Sequence, residues 1–112
     1  MALTNVLYVD DEAPWRRRVQ THFKEKLARV VDVAGDYISG VNKIKKKFYD
    51  LIVLDCLGGD CFKLIEEVRD VRHGPIAIFS ADMNVASQAR RESIPFYIKP
   101  LDLDKIVRTY KK

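Results

Sequence analysis

The feature that most constrains this chain is an alternation, five times over in 112 residues, of a short apolar run and a helical stripe. The runs are Asn5–Val9, Arg29–Ala34, Leu51–Leu54, Ile76–Phe79 and Pro95–Ile98. They are rich in β-branched and aromatic residues and too short for helices, so they predict strands. Leu51-Ile52-Val53-Leu54 is apolar on both faces, the pattern of a strand buried on both sides. Between the runs, apolar residues recur at helical spacing. Trp15, Val19, Phe23 and Leu27 form the first stripe, and Tyr37, Val41, Ile44 and Phe48 the second. Phe62, Leu64, Ile65 and Val68 form the third; Leu103, Ile106, Val107 and Tyr110 form the last. A weaker, more polar helix is expected around Asn84–Glu92. Pro14 suits a first helical turn, and Asp36, Asp60 and Asp102 are expected at helix starts. Double-faced strands joined by helices predict a parallel sheet covered on both sides, with right-handed crossovers. One domain over 1–112 is expected from the length.

Composition excludes several classes. With 47% hydrophobic and 32% charged residues, a globular fold is expected rather than disorder. The longest apolar runs fall far short of the roughly 20 residues that cross a bilayer, so no membrane association is expected. The N-terminal stretch has no basic region and runs into Asp10-Asp11, unlike a signal peptide, and a cytoplasmic setting is expected. Cys56 and Cys61 lack the Cys-x-x-Cys spacing of zinc or redox sites and are expected to be reduced, partly buried side chains. His22 and His73 stand alone in sequence, which fits surface or packing roles. The net charge is +4, with basic clusters at Arg16–Arg18, Lys43 with Lys45–Lys47, Arg90-Arg91 and Lys111-Lys112. Each falls on an expected helix and no recognition motif accompanies them, so solvated faces are expected and nucleic-acid binding by this chain alone is not.

Ligands of such sheets bind at the carboxyl ends of the strands. There the first strand ends in Asp10-Asp11, the third in Asp55, the fourth in Ser80 and the fifth in Lys99. The sheet brings these to one rim. Three carboxylates together are costly unless a cation neutralises them, and hard oxygen ligands at this density suit Mg²⁺. Lys99 adds a fixed positive charge and Ser80 a hydroxyl. Together they would stabilise an oxyanion held against Asp55, and a phosphoryl group is the natural candidate. Asp55 itself can act as nucleophile, since carboxylates form acyl phosphates.

The segments Val6–Glu12, Tyr49–Asp55, Ile76–Ala81 and Phe96–Pro100 resemble those of a response-regulator receiver domain of two-component signalling, over essentially the whole chain. The resemblance implies a flavodoxin-like, doubly wound (βα)5 sandwich with strand order 2-1-3-4-5. It implies that Asp55 accepts the phosphoryl group. It implies that Asp10 and Asp11 hold Mg²⁺ with Asp55, Asp11 the more directly, and that Leu57 lends its backbone carbonyl. Ser80 would swing toward the phosphoryl group, assisted by the Ala81 amide, and Lys99 would pair with its oxygens. Phe96 would be the aromatic switch, and the bond before Pro100 a candidate cis peptide. The implied partners are a sensor histidine kinase or phosphotransfer protein and a downstream protein that reads the surface of helix four, strand five and helix five; monomer or weak dimer is expected. No enzyme activity beyond self-phosphorylation and autodephosphorylation is implied.

The chain also departs from that pattern. The stretch Cys56-Leu57-Gly58-Gly59-Asp60-Cys61 is shorter by about two residues, lacks a proline and has Cys61 where glycine is common in the pattern. The stretch from Ser80 to Lys99 is also short, and Ser93-Ile94-Pro95 replaces a small-residue pair, so a short fourth helix is expected. These departures motivate an alternative: a degenerate receiver that acts as an interaction module without phosphorylation. A phosphotransferase or phosphatase of the haloacid-dehalogenase kind would want an acid two residues after Asp55, where Leu57 stands.

Overall fold

The structure, a computed structural model, describes residues 2–111, with Leu57 described by its backbone. Lys112, half of the last basic pair, lies outside the described residues. The elements run β1 (Leu3–Val9), α1 (Ala13–Lys26), β2 (Ala28–Ala34), α2 (Tyr37–Lys46), β3 (Leu51–Leu54), a 3-10 turn (Leu57–Gly59), α3 (Asp60–Glu67), β4 (Ile76–Ser80), α4 (Met83–Arg91), β5 (Phe96–Ile98) and α5 (Leu103–Tyr110). All pairings are parallel, in the order β2-β1-β3-β4-β5. This is the flavodoxin-like doubly wound fold.

Two apolar layers sandwich the sheet. Val6 and Tyr8 of β1 face Val19 and Phe23 of α1 and Ile106 and Val107 of α5. Leu7 and Val9 face the opposite way, toward Ile44 of α2, Leu64 of α3 and Ala89 of α4. Every residue of β3 is buried, as a central parallel strand requires.

The helix starts follow their sequence signals in part. Pro14 lies in the first turn of α1, and the Asp36 carboxylate accepts from the Ser39 amide at 2.7 Å. Asp60 does not cap α3 but is its first residue, because Gly59 takes the capping position at φ 104°. Asp102 stands at the start of α5 but turns its carboxylate back to the Ile98 amide at 2.9 Å. Phe48 was expected on the α2 stripe. The helix ends at Lys46, and Phe48 lies in the following loop, 41% exposed, with the Arg72 guanidinium 4.9 Å above its ring. α4 does form, over nine residues.

Candidate phosphoacceptor site

Each residue at the rim is fixed first by its backbone. The sheet ladders run one residue past the strands: the Asp10 amide donates to Ala34, the Asp55 amide to Val9 and the Lys99 amide to Ser80, at 2.8–3.0 Å. The order of the strands therefore decides what the side chains meet. β1 and β3 are neighbours, so Asp10, Asp11 and Asp55 converge, with a carboxylate oxygen from each within 4.8 Å of the others.

Lys99 arrives from the far edge. Its ammonium lies 2.7 Å from Asp10 and 3.4 Å from Asp55. Asp10 is fully buried and Lys99 nearly so, whereas Asp11 is exposed. The Lys99–Pro100 peptide is cis. A cleft of about 380 Å³ opens over the cluster, lined among others by Trp15, Asp55, Cys56, Ser80, Ala81 and Lys99. The Ser80 hydroxyl is buried and accepts from the Asp82 amide at 3.1 Å. Phe96 lies on β5 opposite Ile78, half-buried, in a surface groove with Met83 and Arg90 of α4 and Lys105 of α5. Leu57 opens the turn that follows Asp55.

Electrostatics at the cluster are unfavourable as they stand. Burial, and then the Asp10 carboxylate, push the Asp55 carboxyl above its ordinary range, against the pull of Lys99 and of the Cys56 amide. Three carboxylates against one ammonium leave two negative charges, which a divalent cation would cancel. The donors are all oxygen, and one carboxylate faces solvent, so the residues fit Mg²⁺, a hard ion that keeps several of its waters.

Several contacts here escaped the sequence reading. The Tyr8 hydroxyl donates to Asp10 Oδ2 at 2.5 Å, and burial together with that carboxylate raises the phenol far above its usual value. The signal was present: an aromatic in an aliphatic strand, two residues before Asp10 and hence on its face. Arg16 donates to the Asp10 carbonyl at 2.9 Å. Trp15, read as a packing residue, does pack on Phe79, but the Lys99 ammonium also sits 4.5 Å from its ring centre. His22 is paired with Asp104 at 2.8 Å, joining α1 to α5, and His73 contacts the Gly74 carbonyl.

In doubly wound sheets the carboxyl rim of the strands is where ligands bind, and here that rim carries the acids, the Ser80 hydroxyl and the Lys99 ammonium. Comparison with solved structures narrows the fold to that of response-regulator receiver domains. A Francisella response-regulator receiver domain matches at 23% identity and a TM-score of 0.80, over 96% of this chain and 93% of its own. The receiver domain of a sensor histidine kinase from Pseudomonas aeruginosa, with a magnesium ion coordinated in its active-site cleft, matches at 24% identity and a TM-score of 0.77, over 97% and 98%. A two-component response regulator from Clostridium difficile matches at 25% identity and a TM-score of 0.80, over 95% and 91%. No family model matches the sequence, and no curated protein does. No helix among the described residues is long and apolar enough to cross a membrane.

Proposed function

We propose that this chain is the phosphoacceptor receiver module of a cytoplasmic two-component system. One observation carries the reading: three carboxylates within 4.8 Å of one another share a rim with the Lys99 ammonium, at a cleft that the Ser80 hydroxyl also lines. An Asp55 oxygen attacks phosphorus, and the bond from phosphorus to the histidine nitrogen of a kinase or phosphotransfer protein breaks. Asp10, Asp11, Asp55 and the Leu57 carbonyl would hold Mg²⁺, which neutralises phosphoryl charge. Lys99 leaves Asp55 to pair with the new phosphoryl oxygens. The Ser80 hydroxyl, which accepts from the Asp82 amide, turns to donate its own proton to one of them, and the Ala81 amide assists. Movement of Ser80 frees room toward which Phe96 turns, and the face of α4, β5 and α5 is then read by a downstream protein. The chain acts as a regulatory domain rather than a catalyst of turnover.

The test is intact mass after acetyl phosphate with Mg²⁺. One phosphoryl adduct is expected, absent in Asp55→Asn and in EDTA. An adduct that persists in Asp55→Asn would refute the assignment. A second reading has one observation in its favour: Asp10 already engages Tyr8, Lys99 and the Glu12 amide. A phosphorylation-independent interaction module on this fold would give no adduct in the same experiment.

A further inference from the structure

The only two cysteines of the chain meet in space, and the phosphoacceptor reading makes no use of their sulfurs. Cys56 follows Asp55 directly and lines the same cleft, 7% exposed; Cys61 sits in the first turn of α3, fully buried. Both are free thiols, and their sulfurs lie 3.4 Å apart. The backbone between them is folded to bring them together. The Cys61 and Gly59 amides both donate to the Cys56 carbonyl, at 3.0 and 3.1 Å. Gly58 and Gly59 take left-handed φ values of 67° and 104°, with open space around both. Only glycine adopts such a pair readily, and it leaves the turn free to adjust.

We propose that Cys56 and Cys61 form a reversible disulfide site, and that closing it fixes the turn after Asp55 and slows phosphoryl uptake there. The second half rests on the phosphoacceptor reading; the first does not. A disulfide has its sulfurs at about 2.05 Å, so the pair must close by roughly 1.4 Å, within the freedom of a two-glycine turn. The oxidant is a low-molecular-weight disulfide. Cys56, which borders the cleft, attacks as thiolate and breaks the sulfur–sulfur bond of the oxidant, releasing one small thiol and leaving a mixed disulfide. Cys61 then loses its proton, bonds to the Cys56 sulfur and expels the second small thiol. Two protons and two electrons pass from the protein to the small disulfide, which leaves as two thiols. Burial, and then the Cys56 thiol, push the Cys61 thiol well up, so the first attack falls to Cys56 at the cleft rather than to Cys61. The Cys56 amide, which supports the Asp55 carboxylate, leads directly into this turn at Leu57. A crosslink from Cys56 to Cys61 therefore spans the backbone that the phosphoacceptor site draws on.

The experiment equilibrates the folded chain in buffers of glutathione and glutathione disulfide and reads intact mass and thiol content. The expected result is a loss of about 2 Da and of both thiols, reversed by dithiothreitol and abolished in Cys56→Ser and in Cys61→Ser. Retention of both thiols, in a buffer that oxidises the urea-unfolded chain, overturns the site. So does linkage between two copies of the chain. Uptake from acetyl phosphate is then timed in both redox states. The oxidised wild type should be at least threefold slower than the reduced, whereas Cys56→Ser, which can form neither the crosslink nor a mixed disulfide at the cleft, should show one rate in both buffers. Equal wild-type rates in the presence of the disulfide overturn the regulatory half. Absence of uptake in both states overturns the phosphoacceptor reading instead, and the disulfide still stands or falls on the mass.

Discussion

Burial and the neighbouring Asp10 carboxylate, which raise the Asp55 carboxyl, outweigh Lys99 and the Cys56 amide, which lower it. The sign of the consequence follows from linkage. Between the ordinary carboxylate value and the raised native one, the folded protein holds a proton that the unfolded chain has lost, so stability falls as pH rises through that window. Asp55→Asn removes the effect. The variant should melt higher than wild type at pH 7 without Mg²⁺, and the gain should shrink toward zero as the pH falls to about 4, near the unfolded carboxylate value. Thermal melts at several pH values check this; a gain that grows on acidification would contradict it. The residues of the rim were legible because each follows an apolar run. The partners that tune them were less so. Tyr8, Arg16 and Trp15 come from β1 and α1, and which of their atoms reach Asp10 or Lys99 depends on packing that periodicity does not encode.

At the scale of elements, β3 was legible almost to the residue, since a strand buried on both faces has no polar alternation to confuse it. The ends of helices were less so. Phe48 continued the α2 stripe in sequence, but the chain leaves the helix at Lys47, and a cation over the ring stands in for burial. β4 itself was legible from Ile76 onward, but the contact that holds the loop before it was not, for another reason. Gly74 donates to the Tyr49 carbonyl at 3.0 Å, and a Cβ there would lie 2.5 Å from that oxygen and 2.7 Å from the Asp50 carbonyl. No side chain announces a contact between two backbones. Because the neighbours are carbonyls rather than flexible side chains, Gly74→Ala should cost about 1–3 kcal/mol, read as a lower urea midpoint at unchanged slope. An unchanged midpoint would mean that the two loops can separate freely.

For the whole molecule, the topology followed from the alternation of strands and helices, while the strand order rested on the resemblance to receiver domains. The order matters because it assembles one charge cluster from three strand ends far apart in sequence. Ligands that complete the cluster should therefore stabilise the entire fold. Mg²⁺ with beryllofluoride at a hundredfold excess over its dissociation constant should add about 2.7 kcal/mol, seen as a higher melting temperature. Asp55→Asn should show no such rise, and an equal rise in that variant would place the ligand elsewhere.

β5 is three residues long and pairs with β4 alone, yet it delivers Lys99 to two acids that the first half of the chain has already gathered. During synthesis, β1, β2 and β3 emerge and can pair before Lys99 has been translated. Until then Asp10, Asp11 and Asp55 repel one another with no lysine between them. The closing of that short edge thus also brings the cluster the Lys99 ammonium, which offsets part of its charge. An opening of that edge would carry Lys99 away from Asp10 and Asp55, so amide exchange at Phe96–Ile98 should slow when a ligand ties Lys99 into the cluster.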